Sequence, residues 1–302
     1  MAEPIEDLTL ALWSVNLARP LNGPDAWIAD IDRQMAALKQ QGVELLLMPE
    51  YACEQWLSFK PEGLRADQEI AWMAAQAELI LPLLEPLAAR HGMALLAGTM
   101  PHPVNGGYTN RAWLFLPDGR RVGQDKLCLT PFEKDPETWL LEPGREVRII
   151  EWRGARIAIC ICLDIEMPAL SQLLAPHQPD LVLVPSMTAS ASGYSRVFGC
   201  ARARAVELMA AIAACGVIGA APGTTQNDTN FSGCSVFLPC EPALGQTGIL
   251  AELPPTGGHD GDGLMLVARD VPLRTIRELR ENGAAEVWPG SWKAEGLKVL
   301  HC

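Results

Sequence analysis

The stretch Ala155-Arg156-Ile157-Ala158-Ile159-Cys160-Ile161-Cys162-Leu163-Asp164-Ile165-Glu166-Met167-Pro168 changes character half-way along. Its first half is a short apolar run rich in isoleucine between charged flanks, the pattern of a buried strand. The second half turns polar, offers Asp164 and Glu166, and meets a proline at 168, so Cys162 falls where the strand ends. In an open α/β sheet that edge collects loops and ligands, and a thiol placed there is a candidate nucleophile. A lone strand cysteine is more often core than catalytic, and Cys160, two residues earlier, fits that plainer role. Cys162 therefore gains meaning only from partners elsewhere in the chain.

The bounds come from composition. The chain has 302 residues, 49% of them hydrophobic, with a net charge of −12, a mass of 32.7 kDa and a pI near 4.9. No long Pro/Gly/Ser linker divides it, and strand and helix signals alternate throughout, which predicts one domain over 1–302 with a core at about 8–282 and a tail at 283–302. The acidic balance argues against nucleic acid or an anionic membrane surface as partner, since both need clustered Lys and Arg. Nine scattered cysteines without CxxC pairing, and an N-terminus (Met1 to Asp7) without signal-peptide character, point to a reducing cytosol. The most apolar run, Leu208 to Pro222, is broken by Gly216 and Gly219 and is too short to span a bilayer.

Further strands are predicted over 8–17, 44–49, 93–99, 180–185, 217–221, 232–238, 248–253 and 263–271. Hairpins are expected at 110–124, around Asp118-Gly119, and at 144–161, around Arg153-Gly154. Helices are predicted over 25–41, 67–91 with a break near 81 at the first of Pro82 and Pro86, about 167–175, 195–215 and 272–282. The whole is a mixed sheet, or two sheets, covered by helices.

Three strand ends carry unusual residues: Glu50 after Met48-Pro49, Lys126 beyond the 110–124 hairpin, and Cys162. Each alone reads as a surface charge or a core thiol. Together they make chemical sense, because an ammonium lowers a thiol's pKa while a carboxylate takes its proton. The lysine and the backbone N–H of Leu163 can then stabilise an oxyanion. The five histidines lie far apart without metal-ligand spacing, and the glycine-rich 257–263 neither opens a helix nor carries a Lys-Ser/Thr, so no metal or cofactor is expected. Trp56 and Trp139, near the Glu50 and Lys126 loops, are candidates for a pocket wall.

Pro49-Glu50, Gly123-Gln124-Asp125-Lys126-Leu127-Cys128-Leu129 and Cys162-Leu163-Asp164 with Pro168 resemble the carbon-nitrogen hydrolase (nitrilase) superfamily, in a likeness running from Leu8 to about Arg280. The resemblance implies an αββα sandwich and a Glu-Lys-Cys triad at Glu50, Lys126 and Cys162, working through a thioester. It implies a second glutamate, matched by Glu133, that positions the substrate amide or the attacking water, and association through outer helices. Met187, after the matching Val184-Pro185-Ser186, joins Glu133 and Leu163 as a candidate substrate-binding residue. Gln124 and Glu166-Met167 depart from the family pattern at positions expected on the pocket rim, and Asp164 favours an amide over a nitrile. The resulting expectation is a hydrolase of a small-molecule amide. Nitrile or N-carbamoyl hydrolysis, acyl transfer on the same triad, and a non-catalytic scaffold stand as alternatives.

The helix expected over 195–215 carries Ala and Cys on much of its surface and few charges, which suits packing against a second subunit. Light scattering at micromolar concentration should give a mass well above that of one 32.7 kDa chain, and a monomer mass would contradict self-association.

Overall fold

A computed structural model describes residues 5–221, 229–282 and 296–300. Strands β1 (Leu8–Val15), β2 (Leu45–Met48), β3 (Ala94–Val104), β4 (Gly107–Phe115) and β5 (Arg121–Asp125) alternate with helices α1 (Pro24–Lys39) and α2 (Glu69–His91). Short helices α3 (Pro131–Lys134) and α4 (Pro168–Leu174) flank β6 (Ile150–Trp152) and β7 (Ala155–Ile159). Then come β8 (Leu181–Ser186), α5 (Ala191–Leu208), β9 (Ala211–Gly216), β10 (Ser232–Phe237), β11 (Ile249–Thr256), β12 (Gly263–Val271) and α6 (Leu273–Glu281).

The strands form two six-stranded sheets, ordered β12-β1-β2-β3-β4-β5 and β11-β10-β9-β8-β7-β6. Each has the same internal pattern. A parallel trio, β1-β2-β3 or β7-β8-β9, is flanked by antiparallel neighbours. The sheets pack face to face, with α1 and α2 on the outside of the first and α4 and α5 on the outside of the second. This is the expected αββα sandwich.

Alternation along the strands explains the layers. In β1, Leu8, Leu10 and Leu12 enter the cluster between the sheets, while Ala11, Trp13 and Val15 enter the cluster beneath α1 and α2. In β2, Leu45 and Leu47 face one way and Leu46 and Met48 the other. Both faces of these parallel strands are buried, so they read as continuous apolar runs, and the polar residues that follow must gather at the strand ends. The sandwich is also tied across its layers. Asp180, buried before β8, accepts the N–H of Arg156 and pairs with Arg280 of α6, which itself follows β12 of the other sheet.

The structure corrects several expectations. α2 runs unbroken through Pro82 and Pro86, because both prolines lie on its exposed side and the carbonyls they leave unpaired face water. Within the described residues, Ala66–His91 is long and apolar enough to cross a membrane, but here its Ile70, Met73, Ile80 and Leu84 cover the first sheet. The helix expected to reach Cys215 ends at Leu208, where Met209 adopts φ +45°, and Ala211–Gly216 is the strand β9. No strand forms over 217–221; Ile218 makes only an isolated bridge to Asn16. The tail lies outside the described residues except for 296–300, which is irregular.

One glycine sets the start of the site. Gly98 in β3 has φ +72°, and a Cβ there would lie 2.3 Å from the carbonyl oxygen of Pro49. That close approach seats the chain just before Glu50.

Candidate active site

The ends of β2, β5 and β7 bring Glu50, Lys126 and Cys162 together, and α3 adds Glu133. The Lys126 ammonium donates to Glu50 Oε1 at 2.8 Å and to Glu133 Oε2 at 2.7 Å, and all three side chains are almost wholly buried. Glu133 is fixed by a capping box. The Thr130 N–H and hydroxyl donate to Glu133 Oε2 at 2.9 and 3.0 Å, and the Glu133 N–H donates back to Thr130 Oγ1 at 3.3 Å. Thr130-Pro131-Phe132-Glu133 is a helix-start signature, so this contact was readable in sequence.

Two further residues were missed by sequence reasoning. Asn110 of β4 donates through Nδ2 to Glu50 Oε1 at 2.8 Å and Glu133 Oε1 at 3.1 Å, while its carbonyl accepts the Lys126 N–H at 2.8 Å. The Tyr51 hydroxyl donates to Glu133 Oε1 at 3.1 Å. A polar side chain inside a strand that is otherwise buried was the available signal for Asn110; nothing in the sequence singled out Tyr51.

Cys162 sits at a sharp turn with φ +49°, and Tyr51, beside Glu50, has φ +51°. Left-handed backbone at non-glycine residues costs on the order of 1–3 kcal/mol each and persists where surrounding structure over-determines it. At the Cys162 turn the over-determining group is Asp164. Its buried carboxylate accepts the N–H of Ile161 at 3.0 Å, of Leu127 at 3.1 Å and of Cys128 at 2.7 Å. One side chain therefore joins the residue before the thiol to the two residues after the lysine. From the other side, Arg204 of α5 donates to the carbonyl oxygens of Ile165 and Glu166 and holds Glu207.

The other sequence candidates fall out as follows. The Cys162 thiol donates to the carbonyl oxygen of Met187 at 3.5 Å, so Met187 meets the site through its backbone. The N–H of Leu163 has no acceptor among the described residues. Trp139 packs on Tyr51 with ring centroids 4.7 Å apart, whereas Trp56 packs edge-on to Trp27 inside the core and is no pocket wall. Gln124 turns away from the rim, donating to the carbonyls of Asp125 and Glu146 and accepting the Arg148 N–H. Asp164 braces backbone through both of its carboxylate oxygens.

The electrostatics differ from the simple expectation that the ammonium makes a ready thiolate. Burial pushes the Cys162 thiol well up and the Glu50 charge adds to it, and Lys126 offsets this only in part. Lys126 is already shared between two carboxylates, which hold its pKa well above the usual lysine value despite burial. Burial also raises Glu50 to about 7; Lys126 opposes that rise, the Glu133 charge adds to it, and the nearby Cys162 side chain favours the charged form. Glu133 is held below the usual range because Lys126 and its hydrogen-bond donors outweigh its burial. The resting site thus pairs a neutral thiol with a carboxylate able to exchange a proton near neutral pH. Among the described residues, no group of three or more His, Cys, Asp or Glu side chains converges as metal ligands.

The carbon-nitrogen hydrolase family model matches residues 10–238. The chain belongs to that family. It is 30% identical over 240 residues, 80% of its length, to a probable hydrolase, YhcX, of Bacillus subtilis, and that match covers 45% of the relative. It is 29% identical over 188 residues to an omega-amidase, YafV, of Yersinia enterocolitica, covering 62% of this chain and 66% of that one. The matches therefore span less than two thirds of either curated relative. An amidase from Nesterenkonia sp. superposes with a TM-score of 0.68 at 25% identity, over 94% of this chain and 98% of that one. The chain thus joins membership of the carbon-nitrogen hydrolase family to the fold of that amidase.

Asp164→Asn keeps the shape but presents an amide N–H2 to backbone donors, leaving at least one buried N–H without an acceptor. Denaturant unfolding should show a loss of about 1–3 kcal/mol; unchanged stability would show that the brace carries no energy.

Proposed function

We propose that the protein hydrolyses the amide bond of a small molecule through a thioester on Cys162. The observation that carries this reading is the buried Lys126 ammonium held between Glu50 and Glu133 at the mouth of the Cys162 turn. The amidase names of a curated relative and a solved neighbour support the amide as substrate. The eight described cysteines are all free, which fits a reducing cytosol.

In the first half-reaction Glu50 takes the Sγ proton as the sulfur attacks the carbonyl carbon. The oxyanion forms against the Lys126 ammonium and the N–H of Leu163, the donor left without an acceptor. As the C–N bond breaks, Glu50 returns its proton to the leaving amine. In the second half-reaction Glu50 takes a proton from water, hydroxide adds to the thioester, and the thiol leaves as the acid forms. Glu133, fixed by Thr130, Tyr51 and Asn110, keeps Lys126 charged and positions the substrate amide. Self-association belongs to the same proposal: Leu173 of α4 and Val206 of α5 are exposed on the outer helices.

The roles of Glu50 and Lys126 separate experimentally. With an activated ester, whose leaving group needs no proton, Glu50→Gln should still acylate but deacylate slowly, so the thioester accumulates and appears by intact mass. Lys126→Ala should raise both barriers, with ~2.7–4 kcal/mol typical of losing one oxyanion donor, and should show no adduct. Adduct in the lysine variant with none in the glutamate variant would reverse the assignment.

A further inference from the structure

Glu50 and Glu133 flank the same ammonium, yet their carboxylates are held in different ways. Both oxygens of Glu133 are taken. Its Oε1 accepts the Tyr51 hydroxyl and Asn110 Nδ2, each at 3.1 Å, and its Oε2 accepts Lys126 Nζ together with the N–H and hydroxyl of Thr130. At Glu50 the donors crowd onto one atom. Lys126 Nζ and Asn110 Nδ2 both reach Oε1 at 2.8 Å, and Oε2 accepts no nitrogen donor among the described residues. A carboxylate with both oxygens committed is a poor proton acceptor, so this asymmetry bears on which glutamate is the base and through which atom.

Asn110 creates half of that asymmetry. It is wholly buried in β4, and its carbonyl accepts the N–H of Lys126 at 2.8 Å, so one residue touches the backbone of the lysine and the side chains of both glutamates. Its amide can point only one way. Turned over, it would set Oδ1 against two carboxylate oxygens, whereas in this orientation the NH2 group, which has two hydrogens, serves both. Oδ1 is left buried with no donor among the described residues. An unpaired buried acceptor is costly, and what offsets it here is a pair of hydrogen bonds to the site carboxylates, strengthened by the charge of the acceptors. The side chain thus serves the site rather than the strand.

We propose that Asn110 is a positioning residue for proton transfer: by holding Glu50 Oε1 beside Lys126, it leaves Oε2 as the oxygen that carries the proton in both half-reactions. This rests on the amidase reading above and deepens it to the level of one atom. In acylation Oε2 takes the Sγ proton and passes it to the leaving amine. In deacylation it takes a proton from water and passes it to the departing sulfur. Without Asn110 only Lys126 holds Glu50, and the carboxylate can swing about that single contact, so the base is present but no longer aimed.

The test uses Asn110→Leu, which removes both donors at similar volume, alone and combined with Glu50→Gln, with thermal unfolding recorded for each. Losing a general base costs roughly 10²–10⁴-fold, so misaiming it should lower kcat/KM for an amide by at least about tenfold. With an activated ester, Asn110→Leu should acylate yet deacylate slowly, and the thioester on Cys162 should accumulate by intact mass as in Glu50→Gln. In the double variant the asparagine change should cost less than about threefold further, because residues acting through one group are non-additive. A merely structural role predicts the same loss in either background and no adduct. That result, or full activity in Asn110→Leu, overturns the inference and leaves the amidase reading intact. If Asn110→Leu does not fold, Asn110→Asp, which keeps the shape and has at most one donor for two carboxylates, takes its place with the same expectations. If neither wild type nor Glu50→Gln forms an acyl-enzyme with any amide or ester, the amidase reading fails, and alkylation of Cys162 by iodoacetamide near neutral pH decides the positioning role on its own. Slowing by at least about fivefold in the Asn110 variant supports it, since the thiol must lose its proton to react, and equal rates overturn it.

Discussion

The Lys126 ammonium, caught between two buried carboxylates, is the interaction on which the site depends. Taking a charge out of water costs more than a single surface ion pair returns, so a buried lysine needs several close acceptors. Glu50 and Glu133 supply them at 2.8 and 2.7 Å, and Asn110 ties both carboxylates together. The trio carries a net negative charge beside Cys162. Burial, with the neighbouring carboxylate charge adding to it, keeps the thiol protonated at rest and raises Glu50 to about 7. Nucleophile formation is thereby tied to proton transfer in the site, and the two glutamates divide the work: Glu133 stays charged for Lys126, and Glu50 is free to exchange a proton.

The sandwich supplies the geometry. Each sheet has a parallel trio buried on both faces, and its polar residues collect where the strands stop. Glu50 follows β2, Lys126 follows β5 and Cys162 lies just beyond β7, so the reactive groups come from separate layers and must be locked to one another. Asp164 is that lock, since its carboxylate binds backbone N–H groups from both the lysine loop and the cysteine turn. This lock sits beside the left-handed Cys162, while the left-handed Tyr51 is held by its N–H donating to Thr99 Oγ1 and its hydroxyl to Glu133.

Much of this was legible in the sequence because it rests on local signals. Apolar runs ending at Met48-Pro49 and at Ile161 marked strand ends, and Asp118-Gly119 marked a hairpin turn. The Glu-Lys-Cys set could be picked out as strand-end residues whose chemistry fits together. What escaped depended on three-dimensional context. Pro82 and Pro86 spare α2 because of the side they face. The Ala-rich 195–215 hid a helix-to-strand change at Met209, where apolar residues suit either element. Trp56 sits near Glu50 in sequence yet points into the core. The effect of Lys126 on the thiol is smaller than proximity alone suggests because Glu50, 76 residues away, and Glu133 already share its charge, and the bracing role of Asp164 was hidden because two of its backbone partners are 36 and 37 residues away.

The central claim is that a buried Glu50, titrating near neutrality, takes the Cys162 proton. The most direct test is the single-turnover rate of Cys162 acylation by an amide as a function of pH, in wild type and in Glu50→Gln. Because the base form of Glu50 is the active one, the wild-type rate should rise with pH through an inflection at about 7, and that inflection should be absent in the variant. A rate that is flat through neutrality, with its inflection near the ordinary glutamate value of 4.5, or the same inflection persisting in Glu50→Gln, would contradict the account.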